Sequence, residues 1–194
     1  MKIFSSLIFS LFIQYASSAD PKYPVSAISA TLREGVDVVV RQERTTFAII
    51  SKSQATLTVY EVYTILNERG KRYASEVIGY DKLVKVNYLK ATAYDAEGNV
   101  IKKLKNSEIY DQSAYDGFST YSDNRLKAAE MSQGIYPYTV EFEYELEYKY
   151  LFQIPTFSVL AAEKVAVEKS SYTLRFPFNL APRYKALILI KIQL

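Results

Sequence analysis

The side chains able to do chemistry in this 194-residue chain are carboxylates, lysines, serines and tyrosines, because histidine and cysteine are absent. Without them the chain cannot form a Ser-His-Asp triad, a Cys-His pair, an imidazole general base or the usual zinc and iron sites. A glycine-rich phosphate loop and a Ser-x-x-Lys nucleophile motif are also missing. We therefore expect a protein that is not an enzyme and holds no cofactor and no metal, with a carboxylate-only hydrolase as a remote alternative.

The sharpest acidic feature is a row of glutamates at every second position, Glu141, Glu143, Glu145 and Glu147. From Tyr138 to Tyr150 the residues between them are apolar or aromatic, which predicts a long strand with one buried face and one face in water. Neighbouring glutamates would lie roughly 6.5–7 Å apart, close to the separation in some glycosidases, but would point in parallel rather than converge.

The glutamate row is therefore interpreted as a water-facing surface rather than as a catalytic pair. We expect it to pair across the sheet with lysines such as Lys102, Lys103 and Lys105. A weak calcium site is the minor alternative.

The segment Ser107 to Asn124 is dense in Asp, Ser and Tyr and is predicted to be a long loop. Its part from Tyr110 to Asn124 is the better candidate for recognition. Its aromatic and carboxylate side chains resemble the sets that contact sugars or peptides, and loops on a rigid scaffold commonly carry such sites. The candidate ligand-binding residues are Tyr110, Tyr115, Asp116, Phe118, Tyr121 and Asp123. The alternative, which we weight more heavily, is a loop that folds its aromatic residues over the open end of the core.

The elements that position these residues are predicted to be strands, spaced about ten residues apart with little helix between them. This pattern predicts an all-β fold, an antiparallel β-sandwich with long loops and at most one or two short helices. The other predicted strands are Val38–Ile50, Ala55–Leu66, Tyr73–Tyr80, Val86–Tyr94, Val100–Leu104, Lys164–Glu168 and Ser171–Phe176. Hairpin turns are predicted at Asn67–Gly70, with Gly70 at positive φ, at Asp95–Asn99 and at Lys169–Ser170. The segment Arg125–Met131 is compatible with a short helix or a strand.

The two ends of the chain differ in composition from the residues between them. Residues 1–19 combine Lys2, an apolar run and small residues before Ala19, the pattern of a signal peptide. This predicts an exported protein, periplasmic or extracellular, with its β-sandwich domain at residues 20–185 and no membrane contact after cleavage. Residues 186–194 (A-L-I-L-I-K-I-Q-L) predict a terminal strand that either docks as the last strand or precedes a following domain, and we favour the second interpretation.

The charge balance makes nucleic acid an unexpected partner. The chain has 24 basic and 21 acidic residues, and its basic residues form no stripe with interleaved aromatics. The absence of cysteine means that an exported domain must be held by its core alone, which suits a large sandwich better than a small disulfide-stapled module.

Six stretches taken together resemble one family. They are Y-P-V-S-A-I (23–28), T-I-L-N-E-R-G (64–70), V-I-G-Y-D (77–81), Y-D-A-E-G (94–98), Y-D-G-F-S-T-Y-S-D-N-R (115–125) and Y-P-Y-T-V-E-F-E-Y-E (136–145). In order and spacing they resemble the N-terminal domain of unknown function that precedes a transglutaminase-like core in secreted bacterial proteins. The resemblance implies a β-sandwich, with any catalytic Cys-His-Asp machinery in the domain that follows. It carries no catalytic residue onto this chain.

Two functions follow as expectations. The first is a non-catalytic exported module that accompanies a transglutaminase-like domain and presents substrate to it, with that domain as its partner. The second is a free-standing module that binds a glycan or peptide through the Tyr110–Asn124 loop.

Overall fold

The computed structural model describes residues 21–114, 123–159 and 162–183. The predicted signal peptide, loop residues 115–122 and the segment 184–194 lie outside the described residues. Among the residues that are described, no helix is both long and apolar enough to cross a membrane.

The described residues form ten strands in two sheets, which confirms the predicted all-β, sandwich-like class. The strands are β1 (Val38–Ser51), β2 (Gln54–Ile65), β3 (Ser75–Tyr80), β4 (Val84–Tyr94), β5 (Val100–Lys103), β6 (Tyr110–Ser113), β7 (Arg125–Glu130), β8 (Tyr138–Tyr148), β9 (Val165–Val167) and β10 (Ser170–Arg175). One short α-helix, α1, spans Ala30–Arg33, and 3₁₀ helices span Val25–Ala27, Glu68–Ala74, Asn106–Glu108 and Phe178–Leu180.

The seven-stranded sheet has the order β10-β1-β2-β8-β4-β5, with β9 also pairing with β1, and the three-stranded sheet has the order β3-β7-β6. The main core contains buried side chains from both sheets, including Phe47 and Phe142 from the large sheet and Ile78 and Ala129 from the small one. The small sheet therefore packs on one face of the large sheet.

Strand β8 lies in the middle of the large sheet and pairs with β2 and β4. The predicted alternation is confirmed, because Val140, Phe142 and Leu146 are buried whereas the glutamates between them are only half-buried. The polar face is not wholly in water, however. Thr139 is fully buried, and its hydroxyl lies 2.9 Å from that of Thr64.

The N-terminal segment accounts for this buried end of the polar face. Val25 and Ile28 are buried and pack against Val39, which pairs with Thr64 in the sheet. A second, smaller apolar cluster thus covers one end of the large sheet on the side away from the small sheet.

The hairpin predicted at Asn67–Gly70 is wrong. The chain leaves β2 through the 3₁₀ helix Glu68–Ala74 and enters β3, which pairs with β7 in the other sheet, because β1 and β8 already occupy both edges of β2. Gly70 does not have the predicted positive φ, which occurs at Gly35 and Gly98 instead.

Close packing explains the glycine at position 70. A Cβ there would lie 2.6 Å from Val38 Cγ2 and 2.7 Å from the Asp37 carbonyl oxygen. The second predicted turn is confirmed, since β4 and β5 pair antiparallel across Asp95–Asn99 with Gly98 at a φ of 95°.

The predicted pairing of the two C-terminal strands is also wrong. Both β9 and β10 pair in parallel with β1, with Val38 opposite Val165 and Glu43 opposite Ser170. The chain therefore continues through Lys169 and Ser170 along the same edge of β1 and does not reverse its direction as a hairpin would. Of the two possibilities for Arg125–Met131, the strand is the correct one, and the predicted loop before it contains strand β6.

Candidate functional site

The predicted recognition loop connects the two strands of the β6–β7 hairpin. The hairpin pairs Tyr110 with Ala128 and Ser113 with Arg125, and the Ala114 amide then donates to the Asn124 carbonyl at 2.8 Å. The small sheet thus fixes both ends of the loop. Four candidate residues, Tyr115, Asp116, Phe118 and Tyr121, lie outside the described residues.

The two described candidates do not come together. Tyr110 lies opposite Ala128 at the start of the hairpin and is 68% exposed. Asp123 lies at the other end, beyond the Ser113–Arg125 pair, where it forms an exposed ion pair with Lys82. Neither residue forms part of a shared binding surface within the described chain.

The base of the hairpin carries a charged network that the sequence analysis did not single out as a site. The Asp111 carboxylate accepts hydrogen bonds from the Tyr80 hydroxyl at 2.6 Å, from Lys127 Nζ at 2.6 Å and from Arg125 at 2.9 Å. Arg125 Nε also donates to the Tyr80 hydroxyl at 2.9 Å. Four side chains from three adjacent strands are thereby held in one arrangement.

This network makes Asp111 a poor proton acceptor. Hydrogen bonds from Lys127, Tyr80 and Arg125 hold the pKa of the Asp111 carboxyl well below its usual range. The same contacts with Tyr80 and Asp111 raise the pKa of the Arg125 guanidinium. Asp111 therefore orients its cationic neighbours, and its chemistry is suited to positioning rather than to general-base catalysis.

Residues of this network line two open cavities. One, of about 430 Å³, is lined by Tyr80, Arg125 and the apolar residues Val77, Val84 and Leu126, among others. The second, of about 560 Å³, is lined by Lys90, Lys127, Asn87, Asn106 and Asp111 together with aromatic and aliphatic residues of β4. Cavities that combine apolar walls with a few fixed polar groups are typical ligand sites.

The carboxylates of the glutamate row form hydrogen bonds with side chains of neighbouring strands and do not converge as a catalytic pair would. The Tyr94 hydroxyl donates a hydrogen bond to Glu141, and the Tyr88 hydroxyl donates one to Glu143. Asn87 and Thr58 donate to Glu145, and Gln54 donates to Glu147. Glu141 also forms an ion pair with Lys22 at 2.7 Å. These partners come from the neighbouring strands β2 and β4 and from the N-terminal segment.

The prediction that Lys102, Lys103 and Lys105 pair with this row is wrong. Strand β5, which carries Lys102 and Lys103, is separated from β8 by β4, and Lys102 pairs with Glu108 instead. The calcium alternative gains no support from the described residues, which contain no group of three or more acidic side chains placed to share a metal ion.

A second acidic feature, missed by the sequence analysis, lies on the inner face of the large sheet. In β2 the buried residues Leu57, Val59 and Ile65 share a face with Glu61 and Tyr63, because side chains alternate along a strand. The signal was present in the sequence, since Glu61 interrupts an alternating apolar run.

Glu76 reaches the same interior from the small sheet. On β3, Ile78 is 3% exposed whereas Val77 is 61% exposed, and Glu76 lies on the side of Ile78. Burial raises the pKa of Glu61 to about 7, and the negative charge of Glu43 adds to the shift. Burial and the negative charge of Glu61 raise the pKa of Glu76 to about 8. Hydrogen bonds from Tyr63 to Glu61 and from Tyr144 to Glu76 act in the opposite direction, so burial is the dominant cause of both raised pKa values.

The fold and the site together define a non-barrel β-sandwich domain that carries a loop on its smaller sheet. The model of DUF3857, a domain of unknown function with a solved structure, matches residues 51–191. The chain belongs to this family. No curated protein matches the chain.

A solved structure supports the same fold. It is a protein from Parabacteroides distasonis ATCC 8503, described as a "putative protease", with a TM-score of 0.60 and 10% sequence identity. The match covers 75% of this chain and 30% of that protein, so the chain spans about a third of its length.

Proposed function

We propose that this protein is an exported, non-catalytic β-sandwich module that serves as the N-terminal accessory domain of a transglutaminase-like or peptidase-fold protein and presents substrate to it. The observation that carries the proposal is the difference between the share of this chain and the share of the solved protein that the structural match covers. Three quarters of this chain matches less than a third of a longer protein described as a protease. A module of this kind would act beside a larger catalytic unit. Export to the periplasm or the extracellular space rests on the predicted signal peptide, residues 1–19.

The chemistry of the chain supports a role without turnover. Histidine and cysteine are absent from the whole sequence. The carboxylates of Asp111 and of the glutamate row are engaged by hydrogen-bond donors, and the lowered pKa of Asp111 makes that residue a poor base. Among the carboxyl groups that the structure describes, Glu61 and Glu76 are the ones with the raised pKa values that a carboxyl acid catalyst needs. They therefore belong in any test for activity.

The first experiment assays purified residues 20–194 for turnover. Fluorogenic casein reports proteolysis, casein with a labelled primary amine reports transamidation, and p-nitrophenyl glycosides report glycoside hydrolysis. We expect rates equal to those of buffer alone. Turnover that disappears in Glu76→Gln or Asp116→Asn, but persists in the matched variant Glu147→Gln, would contradict the proposal.

The second experiment addresses the partner directly. Sequencing the gene beyond codon 194 should show an in-frame continuation that encodes a domain with Cys, His and Asp in that order. A stop codon at position 195 would contradict the accessory role and leave the free-standing alternative.

The second candidate function is a module that binds a glycan or peptide by itself. It is favoured by the two cavities lined by the charged network, in which Asp111 holds Arg125, Lys127 and Tyr80 in fixed orientations. This function predicts saturable binding on a glycan or peptide array, weakened at least tenfold by Tyr115→Ala or Tyr121→Ala. Tyr60→Phe, remote from the loop, is the control. Blank arrays would count against this candidate.

A further inference from the structure

An open apolar cavity lies at the end of the large sheet where β1 and β8 finish. This cavity, of about 370 Å³, is lined by Ile49 from β1, by residues 151–154 after β8, and by Leu180 and Pro182. Of the lining residues, Phe152 is 85% exposed, and Phe178, two residues before Leu180, is 99% exposed. Large exposed apolar side chains beside an apolar cavity indicate a surface that another segment or molecule covers.

The walls of this cavity are attached to the main core. Ile49 is a buried member of the core, and Leu151, Ile154 and Leu180 are partly buried and pack against it. The Phe152 ring stacks on that of Tyr150, with the two ring centroids 4.9 Å apart, and Tyr150 also packs against the core. A side chain that enters the cavity would therefore extend the core.

The chain itself supplies an apolar segment beside the cavity. Pro182 lines the cavity, and Ala186 follows four residues later, so residues 186–194 begin within about 14 Å of Pro182. In this terminal segment the even-numbered residues are all apolar, whereas the odd-numbered ones include Lys191 and Gln193. A strand would place the even-numbered residues on one face. They are Ala186, Ile188, Ile190, Ile192 and Leu194.

Two observations favour the terminal segment over a separate molecule as the occupant of the cavity. The match to the family model continues to residue 191, so residues 186–191 belong to the same domain as the sandwich. The short connection from Pro182 also gives the segment a high effective concentration at the cavity, which a separate partner does not have.

We propose that the terminal segment docks on the sandwich, with Ile188, Ile190 and Ile192 packed over the apolar cavity and against Phe152. The docking covers the exposed aromatic ring. It also gives a partner within its own chain to an apolar run that would otherwise be prone to aggregate. The docking is compatible with a domain after residue 194, and it does not depend on the proposed function.

The test is amide hydrogen exchange of residues 20–194, followed by mass spectrometry in peptides that cover residues 186–194. We expect these amides to exchange at least tenfold more slowly than their intrinsic rates. Ile190→Asp should return the exchange to within threefold of the intrinsic rates, whereas Gln193→Asp, on the other face, should leave the protection unchanged.

Substitutions on the sandwich test the docking surface without altering the segment. Phe152→Asp should remove the protection of residues 186–194, whereas Ile135→Asp should not, although Ile135 is also 85% exposed. Unchanged protection in β2 and β8 shows that each variant is folded. If Phe152→Asp does not fold, Phe152→Ser takes its place with the same expectation.

Three outcomes would overturn the proposal. An unprotected wild-type segment would mean that the cavity is left for another molecule, such as a following domain. Full protection in the Phe152 variant would mean that the segment docks elsewhere. Protection that is lost on tenfold dilution, together with a fall from a dimeric to a monomeric mass in light scattering, would mean that the segment docks on a second copy of the chain.

Discussion

Gly70 is the residue at which the chain has no room for a side chain. A Cβ added to Gly70 would lie so close to the Val38 side chain and the Asp37 carbonyl oxygen that the backbone before β1 would have to move. We expect Gly70→Ala to lower the free energy of unfolding by about 1–3 kcal/mol, since overpacking a close contact forces backbone shifts. Urea denaturation followed by circular dichroism measures the change.

The matched control for this substitution is Gly79→Ala. Gly79 is exposed in β3, and a Cβ there would meet no atom within 4 Å. We expect a change within about 0.5 kcal/mol. Equal effects of the two substitutions would contradict the packing explanation.

Individual residues were predicted unevenly from the sequence. The outward direction of Glu141 and Glu143 followed from the period of two, which depends only on local geometry. Their partners did not follow, because a hydroxyl such as that of Tyr88 becomes a neighbour only once the order of the strands is known. The charged network around Asp111 was missed for the same reason.

At the scale of elements, one buried ion pair attaches the C-terminal strands to β1. Arg41 Nε donates to Glu168 at 2.7 Å, and the Arg41 side chain is only 7% exposed. Glu168→Gln would leave the guanidinium buried without its counter-charge. We expect a loss of about 1–3 kcal/mol, less than for a fully buried pair because Glu168 is partly exposed.

Asp123→Asn supplies the comparison for this prediction. Asp123 and Lys82 form an ion pair in which both side chains are more than half exposed, and such pairs contribute about 0–1 kcal/mol. We expect its effect on the urea midpoint to be smaller than that of Glu168→Gln. The reverse order would show that β9 and β10 do not depend on Arg41.

Strand existence was easier to predict than strand pairing. Apolar alternation placed β1, β2, β4 and β8 within a few residues of their observed bounds. The two wrong hairpins, after β2 and between β9 and β10, arose because adjacency in sequence was read as adjacency in the sheet. Parallel pairing of β9 and β10 with β1 spans more than 120 residues and leaves no local signal.

For the molecule as a whole, the class was predictable and the division into two unequal sheets was not. The alternating pattern requires a buried face, but it does not say which strands cover it. The orientation of Glu76 toward the space between the sheets depends on that division, since β3 joins the small sheet. A recognition surface, or a charged side chain that faces the space between the sheets, can thus be assigned only once the pairing of the strands is known.

The interior carboxyls should govern how global stability depends on pH. Because burial raises the pKa of Glu61 to about 7 and that of Glu76 to about 8, from an ordinary value of 4.5, these residues bind more protons in the folded state than in the unfolded state. The contribution of these two groups to the free energy of unfolding should therefore be largest below about pH 4.5–5. It should fall as the pH rises to about 8.

Other groups act outside this window. The pKa values of Asp37, Asp95 and Asp111 are lowered, so the stability that they add is present above about pH 4 and is lost only in acid. Between pH 5 and 9, the slope should accordingly come from Glu61 and Glu76. At about 1.4 kcal/mol per pKa unit the two shifts correspond to roughly 8 kcal/mol. We expect a loss of about 2–4 kcal/mol, because both side chains are only half-buried and solvent screens them.

Urea denaturation of residues 20–194 at pH 5, 7 and 9 measures this loss. Glu76→Gln should reduce the slope and leave the part that is due to Glu61, because the amide cannot ionise, whereas Glu147→Gln should follow the wild type. A wild-type stability that is constant or rises between pH 5 and 9 would mean that the two carboxyls are hydrated in the folded protein. In that case the interior of the sandwich would be open to water along β2 and β3.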